Sequence, residues 1–360
     1  MLDQFSPAGA DARQQARAAR PGQVMAALDL GTNNCRLLIA RQNGVGFQVI
    51  DAFSRIVRLG EGVSHTGLLA PDAMDRTIDA LRICAAKMQR RGVTLARAVA
   101  TEACRRAVNC ATFVERVREE AGIDLDIISS GEEAQLAFSG CMPLLNRDFP
   151  YAIVFDIGGG STELGWLSLK AGVQPRIVAW HSMPLGVVTL TEEFGVEAAP
   201  GLDRMEFYEG MVGKVAAQLA PFAQAVGAHR AIAAGQVQIL GTSGTVTTLA
   251  GIKLGLPRYD RTLVDGSYLT YGEVEKISTQ LASQSCAERA TVPCVGVDRC
   301  DLVVSGCAIL TAICRQWPIG RLRVADRGVR EGILMSLMTG TAPDGVYRPV
   351  YSAASLPVSA

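Results

Sequence analysis

YAIVFDIGGGSTEL, residues 151–164, joins two apolar runs through a turn of three glycines. Asp156 ends the first run and Glu163 lies in the second. The pattern predicts a buried strand, a glycine-rich loop and a returning strand. Glycines let backbone N–H groups approach a phosphate, Ser161 adds a hydroxyl, and the two carboxylates are oxygen ligands that suit Mg²⁺. Taken alone, the segment fits an ordinary hairpin turn equally well.

The segment ALDLGTNNCRL, residues 27–37, repeats this arrangement. Asp29 aligns with Asp156, and a charged residue follows each aspartate by seven positions, Arg36 in the first copy and Glu163 in the second. The repeat predicts a duplicated unit whose halves face each other across a cleft. Both loops would then contact one phosphate chain, with Arg36 attracting the anion and Glu163 helping to hold its metal.

The composition excludes several classes of protein. The chain has 360 residues, 49% of them hydrophobic, and a formal net charge of zero, which favours two domains without a global basic field. Nonspecific nucleic-acid binding is therefore disfavoured. The chain contains neither an apolar run of bilayer length nor the apolar core of a secretory signal, so we expect a cytoplasmic protein without membrane association.

The ten cysteines are scattered without a CxxC pair, and the chain has only three histidines. This distribution argues against a zinc site, a disulfide framework or histidine-based catalysis. We expect most of the cysteines to be small core residues in a reducing compartment.

The order of periodic segments predicts a mixed α/β layout in each half. Residues 1–23 are predicted to be a disordered leader and residues 341–360 an unstructured tail. The predicted strands are 24–28, 36–41, 47–56, 96–100, 125–128, the two strands around the glycine loop, and 321–325. The predicted helices are 71–91, 109–121 capped by Asn109, 130–140, 204–226, 272–282, 301–316 and 329–338.

A third glycine loop, formed by Gly241, Thr242, Ser243 and Gly244, follows an apolar run and precedes a helical pattern. Strand, loop and helix start in this order can bind an anion at the N-terminus of the helix. The same four residues would also serve as a plain helix cap.

Glu133 has two interpretations that depend on which serine caps its helix. If Ser130 is the cap, Glu133 completes a capping box and is structural. If Ser129 is the cap, Glu132 takes that position instead. Glu133 is then free to face the cleft and accept a proton from a water that attacks a terminal phosphate.

Four arginines near predicted strand ends or helix starts, Arg105, Arg106, Arg327 and Arg330, are candidates for contacts with phosphate. An exposed arginine is more often solvated surface than a ligand. Phosphoryl transfer nevertheless depends mainly on positioning and charge neutralisation, so arginines and Mg²⁺ are the expected apparatus.

The ordered set of motifs resembles the exopolyphosphatase and guanosine pentaphosphate phosphohydrolase (Ppx/GppA) family over residues 24–338. The matching segments are DLGTNN at 29–34, ATEACR at 100–105, SGEEA at 130–134, DIGGGSTE at 156–163, GTSGT at 241–245, RCD at 299–301 and REG at 330–332. The resemblance implies duplicated ribonuclease-H-like domains of the actin, sugar kinase and Hsp70 type, with mixed sheets, flanking helices and an interdomain cleft. It implies a first domain at 24–145, a second at 146–326 and a helix at 327–340 that packs back on the first. The chain is similar to the short two-domain members, which lack a C-terminal HD-type region.

Carried over by position, the resemblance implies that Glu133 is the catalytic base and that Asp156 and Glu163 serve the metal. The residues implied to contact phosphate are Gly31, Thr32, Asn33, Arg36, Arg105, Gly158, Gly159, Gly160, Ser161, Gly241, Thr242, Ser243 and Gly244. Thr32 and Asn34 stand where the family usually has serines, which changes the hydroxyl contacts of the first loop.

We therefore expect a Mg²⁺-dependent phosphohydrolase, with Mn²⁺ as the alternative metal, that releases the terminal phosphate of inorganic polyphosphate, of guanosine pentaphosphate, or of both. Two alternatives stay open at this stage. One is an ATP-dependent kinase or ATPase of the same fold, and the other is a weakly catalytic sensor that binds alarmone or polyphosphate. A homodimer is the default expectation for the assembly.

Overall fold

The computed structural model describes residues 19–44, 46–170, 175–199 and 201–340. Most of the predicted leader and the whole predicted tail lie outside these ranges. The described end of the leader departs from the expectation of disorder. Ala19 is buried, and its backbone N–H donates to the carbonyl of Leu337 at 3.1 Å. The last residues of this segment are therefore part of the folded structure.

The first sheet has five strands in the order β3-β2-β1-β4-β5. Their bounds are β1 Val24–Leu30, β2 Asn34–Asn43, β3 Gly46–Ile56, β4 Leu95–Ala100 and β5 Asp126–Ile127. The first three strands are antiparallel neighbours, and β4 and β5 add in parallel. In the hairpin β1–β2, Asp29 lies directly opposite Arg36. The seven-residue spacing read from the sequence is therefore a cross-strand pair.

The second sheet has six strands in the order β10-β11-β9-β6-β7-β8. Their bounds are β6 Tyr151–Ile157, β7 Thr162–Ser168, β8 Arg176–Met183, β9 Val237–Thr242, β10 Tyr268–Thr270 and β11 Arg321–Ala325. From β8 to β11 the order and directions repeat those of the first sheet, with β10 added at the edge. Asp156 lies opposite Glu163, as Asp29 lies opposite Arg36. The duplicated ribonuclease-H-like fold is confirmed.

The helices of the first half are α1 Val63–Thr66, α2 Pro71–Arg90, α3 Glu102–Arg106, α4 Cys110–Ala121 and α5 Ser130–Cys141. Pro71 occupies the start of α2, where its missing N–H has no cost. Side chains of α2 and α4, among them Ile78, Leu81 and Phe113, form a core with one face of the first sheet. Asn109 occupies the N-cap position of α4 as predicted, but its side chain does not bond the helix. Its amide instead accepts from the backbone N–H of Leu69 and donates to the carbonyl of the same residue.

The helices of the second half are α6 Val187–Phe194, α7 Arg204–Val226, α8 His229–Ala233, α9 Gly244–Lys253, α10 Arg261–Val264, α11 Tyr271–Ser283, α12 Cys286–Ala290, α13 Val303–Gln316 and α14 Val329–Thr339. The seven predicted helices agree with the observed ones within two residues at their ends. The prediction missed the strands β8 and β10 and the helices α1, α3, α6, α8, α10 and α12. The run VVTLT in α6 is rich in β-branched residues, and its start at Gly186 is capped through the Thr189 side chain rather than by a hydroxyl before the helix.

Helices α5 and α14 cross between the two sheets. A methyl group added at Gly140 would come within 2.1 Å of the Gly328 carbonyl oxygen, and one at Gly332 within 2.0 Å of the Leu136 carbonyl oxygen. The two helices thus approach closely enough that only glycine fits at the crossing. Apolar side chains of both sheets join this core, including Met25, Val154, Leu240 and Ile333. No helix of the described residues is long and apolar enough to cross a membrane.

Candidate active site

Three loops meet at one cavity between the two halves. They follow β1, β6 and β9, so each lies at the end of a strand next to the centre of its sheet. The wall includes these members of the predicted set: Gly31, Thr32, Asn33, Arg36, Glu133, Asp156, Gly158, Gly159, Gly160, Ser161, Ser243 and Gly244. The loop pairing expected from the sequence repeat is therefore present in the structure.

The first two loops touch each other, and glycine is required where they do. A methyl group at Gly159 would come within 2.9 Å of Thr32 Cβ, and one at Gly160 within 2.7 Å of Thr32 Oγ1. These separations are too short for a side chain. Gly159 and Gly160 therefore allow both loops to line one cavity, whereas the N–H of Gly158 is already used within the loop, where it donates to the Ser161 carbonyl at 2.9 Å.

The third loop contributes only its second half. The hydroxyl oxygen of Ser243 accepts from the Val246 N–H at 3.1 Å and caps α9, so its own O–H can donate into the cavity. Gly241 and Thr242 do not line the wall, which corrects their predicted contact with phosphate. Gly241 leaves space for the Phe155 ring, since an added methyl group would lie 2.3 Å from Phe155 Cζ, and Thr242 Oγ1 donates to the Arg327 carbonyl at 2.6 Å.

The structure shows which of the two serines caps α5, the helix that carries Glu133. Ser129 is the cap of α5, and its hydroxyl accepts from the Glu132 N–H at 3.2 Å. The Glu132 carboxylate turns away to bond Arg97 Nη2 at 2.6 Å. Glu133 is free of the cap and lines the cavity. Burial and the nearby Glu163 carboxylate raise the pKa of Glu133 well above its usual range, against the lowering effect of Arg105.

Arg105 lies behind this wall, not on it. Its guanidinium bonds Glu133 Oε2 at 2.8 Å, Glu102 Oε2 at 2.7 Å and the Ile128 carbonyl at 2.9 Å. With these acceptors its donors are largely occupied. The predicted contact between Arg105 and phosphate therefore does not agree with the structure, in which Arg105 does not line the cavity. Arg105 instead holds the carboxylates of Glu102 and Glu133 in fixed positions at the cavity.

Asp29 and Asp156 project into the cavity from equivalent places in the two hairpins. Burial, then the neighbouring Glu133 carboxylate, raise the pKa of Asp156 to about 7. Burial also raises the pKa of Asp29, but Arg36 and Arg330 act in the opposite direction. The acidic side of the cavity is therefore concentrated around Asp156 and Glu133.

Glu163 is buried beside this group without lining the cavity. Its Oε1 accepts from the hydroxyls of Ser161 at 2.7 Å and Ser182 at 2.9 Å. Burial and the Asp156 carboxylate raise its pKa to about 7. The metal role predicted for Glu163 would therefore be exerted through water or through Ser161.

The carboxylates that line the cavity are suitable ligands for the kind of Mg²⁺ site found in proteins that process phosphates. Mg²⁺ is usually bound by one or two carboxylates together with water and substrate phosphates. Asp156, with Asp29 across the loop contact, can supply those carboxylates. A cation would also relieve the like-charge repulsion between Asp156 and Glu133. The described residues contain no cluster of three or more histidine, cysteine, aspartate or glutamate side chains arranged as a complete metal site.

Two arginines, Arg36 and Arg299, form the cationic side of the cavity. Arg299 donates to Thr248 Oγ1 at 2.9 Å, and burial together with Arg36 lowers its pKa. Neither arginine forms an ion pair with a carboxylate in the described part of the chain. Sequence reasoning had noted the RCD segment at 299–301 without giving Arg299 a role. It also missed Glu102 and Thr248 on the wall.

Comparisons with known proteins agree with this geometry. The model of the Ppx/GppA phosphatase family matches residues 38–340. A protein named exopolyphosphatase 2 from Mycobacterium tuberculosis is 30% identical over 327 residues, which cover 87% of this chain and 98% of that protein. The PPX-GPPA enzyme of Aquifex aeolicus superposes with a TM-score of 0.71 at 29% identity, covering 87% of this chain and 99% of that one. An exopolyphosphatase from Cytophaga hutchinsonii has the same fold, with a TM-score of 0.79 at 24% identity over 92% of this chain and 100% of that one.

Proposed function

The chain belongs to the Ppx/GppA phosphatase family, and we propose that it hydrolyses the terminal phosphoanhydride bond of inorganic polyphosphate, of guanosine pentaphosphate, or of both. The observation that carries this proposal is the placement of Glu133. Its carboxylate is released from the helix cap, is held by Arg105 at 2.8 Å, and faces the cavity lined by the glycine loops.

In the proposed reaction a water molecule attacks the terminal phosphorus atom. Glu133 accepts a proton from this water, the bridging P–O bond breaks, and inorganic phosphate and a shortened chain leave. Burial makes Glu133 a stronger base, while its contact with Arg105 fixes the direction of the carboxylate. The reaction therefore needs no covalent intermediate on the protein.

The remaining groups bind and orient the phosphates. Backbone N–H groups at 32–33 and 159–161, the N-terminus of α9, and the guanidinium groups of Arg36 and Arg299 oppose the negative charge of the substrate. The N–H groups of Gly31 and Gly158 donate instead to carbonyls of their own loops. Mg²⁺ held by Asp156, with Asp29 opposite, would neutralise charge on the phosphate oxygens.

Relatives support this choice over an ATP-dependent kinase or ATPase. The Mycobacterium tuberculosis relative at 30% identity is named an exopolyphosphatase. An exopolyphosphatase reaction releases phosphate from polyphosphate without any ATP, whereas a kinase or ATPase requires the nucleotide. Release of phosphate in an ATP-free mixture is therefore the first test of the proposal.

The decisive variant is Glu133→Gln. We expect kcat for phosphate release to fall about 10²- to 10⁴-fold with the fold intact, because amide cannot accept the proton. Glu132→Gln is the matched control, since Glu132 is the preceding residue but bonds Arg97 instead of facing the cavity. Full activity in the Glu133 variant would refute the assignment of the base. Binding of the substrate by calorimetry, without turnover by the wild-type protein, would favour a sensor instead.

A further inference from the structure

A second cavity adjoins the proposed active site and shares part of its wall. Asn34 and Arg299 line both cavities. The second cavity extends from there between β3 and α2 of the first half and the segments around Tyr259 and residues 294–298 of the second half. A ligand longer than the first cavity can therefore continue past Asn34 and Arg299 into the second.

The second cavity is strongly cationic. Four arginines, Arg55, Arg58, Arg76 and Arg299, line it, against a single carboxylate, that of Asp298. The whole chain has a net charge of zero, so this concentration of positive charge is local. Clefts that are lined by one sign of charge concentrate ligands of the opposite sign.

Arg55 and Arg76 are available to a ligand. The Arg55 guanidinium packs at 5.5 Å from the centre of the Phe53 ring and forms no ion pair with a carboxylate of the described residues. Arg76 makes only a long bond of 3.3 Å to the Val57 carbonyl and a 3.6 Å contact with an exposed Glu61 carboxylate. Exposed pairs of that kind contribute little to stability, so an anion can displace Glu61 easily.

Arg58 and Arg299 are held more firmly and give the passage its shape. Arg58 reaches from the first half to bond Asp301 Oδ2 at 2.8 Å in the second half. Arg299 is anchored to Thr248 and is close enough to Arg36 for the two positive charges to repel each other. Two neighbouring guanidinium groups that form no ion pair in the described residues favour binding of an anion at the junction of the two cavities.

We propose that the second cavity binds the phosphates of a linear polyphosphate that lie beyond the scissile end, with Arg55 and Arg76 as the principal contacts. This inference rests on the proposed function, since it extends the same substrate from the same site. A chain of phosphates matches a passage with four guanidinium groups, whereas the only aromatic ring on its wall is that of Tyr259, whose hydroxyl is already bonded to Asp326 at 2.7 Å. The cavity therefore makes affinity depend on chain length.

The test compares the double variant Arg55→Gln/Arg76→Gln with wild type on tripolyphosphate and on long-chain polyphosphate. Both side chains are exposed, so the fold should be unaffected. We expect KM for the long chain to rise about 10-fold or more, which corresponds to about 1.4 kcal/mol, while KM for tripolyphosphate and kcat for both stay within about two-fold. The KM of the variant for the long chain should also depend less on salt, because fewer arginine–phosphate contacts are made.

Arg90→Gln is the matched control, because Arg90 is an exposed arginine of α2 outside both cavities. Its KM values should equal those of wild type. An equal rise of KM for both chain lengths, or no rise for the long chain, would overturn the proposal. So would a rise of KM confined to guanosine pentaphosphate, which would place a nucleoside in the cavity instead.

The failure of the proposed function would give a different result. If wild type released no phosphate from any of these substrates, calorimetric titration with long-chain polyphosphate would still test the second cavity. Weaker binding by the double variant than by wild type and Arg90→Gln would support the cavity as a polyphosphate site. Equal binding by all three proteins would overturn it independently of catalysis.

Discussion

The hairpins β1–β2 and β6–β7 are two versions of one structural unit with opposite electrostatic roles. Each places an aspartate at the end of its first strand, a glycine-led loop, and a charged residue directly across the ladder. In the first unit that residue is Arg36, which lines the cavity. In the second it is Glu163, which is buried beside Asp156. The same backbone thus supplies a cationic side and an acidic side of one cleft.

This difference shows how a duplicated fold can produce an asymmetric site. Phosphate carries negative charge and its metal carries positive charge, so a symmetric pair of loops would suit only one of them. Under the proposed function, the exchange of Arg36 for Glu163 at the position opposite the aspartate would separate these two tasks. Variants that weaken one unit without the other test whether the two units have different roles.

The largest effect is expected from Asp156→Asn compared with Asp29→Asn. The effect of the Glu133 carboxylate on Asp156 exceeds that of Arg36, whereas Arg36 and Arg330 both act on Asp29 and exceed the effect of Glu331. Removing the charge of Asp156 should therefore lower kcat/KM about 10²- to 10³-fold and raise the Mg²⁺ concentration needed for half-maximal activity. The Asp29 variant should need less additional Mg²⁺. Titration of phosphate release with Mg²⁺ measures both, and identical Mg²⁺ requirements would show that the units share the metal equally.

The next effect concerns the cationic unit. Under the proposed function, Arg36→Gln should raise KM about 10- to 100-fold, because Arg36 lines the cavity and forms no ion pair with a carboxylate of the described residues. The Mg²⁺ requirement should change less than in Asp156→Asn, because a guanidinium group is not a metal ligand. Arg36→Lys keeps the charge but not the paired donors, so it should recover part of the loss. Steady-state kinetics on one substrate across several Mg²⁺ concentrations separate the two parameters. A variant that lost Mg²⁺ dependence but kept its KM would reverse the roles assigned to the units.

Local pattern was sufficient to predict both units. An antiparallel hairpin places residues seven apart opposite each other when the loop is of this length, so Asp29 with Arg36 and Asp156 with Glu163 could be paired from spacing alone. The sequence indicated that either Ser129 or Ser130 caps the helix of Glu133, but it could not decide between them, because each has a hydroxyl and a glutamate three residues later. In the structure Ser129 is the cap, and the Glu132 carboxylate bonds Arg97, 35 residues away, instead of completing a capping box.

Contacts between distant segments were beyond such reasoning. The family resemblance implied that Arg105 contacts phosphate, and nothing in its local sequence indicates that it bonds Glu133, which is 28 residues away. Gly241 belongs to a glycine-rich loop, yet its role is to accommodate the Phe155 ring from the adjacent strand. Arg299 reaches the cavity only because the segment before α13 folds over the third loop. Each depends on tertiary packing that periodicity does not encode.

A smaller effect is expected from Ser182→Ala, which tests whether Glu163 needs its hydroxyl partners. Ser182 lies on β8 and donates to Glu163 Oε1 at 2.9 Å without lining the cavity. Loss of one donor should raise the pKa of Glu163 further and lower kcat about two- to ten-fold, with KM nearly unchanged. The pH profile of kcat should move to higher pH relative to wild type. An unchanged profile with reduced thermal stability would indicate a purely structural bond.

The smallest effect concerns the outer strands of the two units. On β3, Asp51 bonds Lys87 and Arg91 of the α2 region at 2.8 and 2.9 Å, and these bonds lower its pKa to about 2. Since the folded pKa lies below the unfolded value, the stabilisation is complete above about pH 4 and is lost as the pH falls toward 2. Because solvent screens the exposed partners, these ion pairs contribute about 1 kcal/mol to the free energy of unfolding.

No ion pair joins β8 to a helix in the described residues. Hydrogen exchange at decreasing pH should therefore show β3 losing protection between pH 4 and 2 in wild type but not in Asp51→Asn, while β8 behaves alike in both proteins.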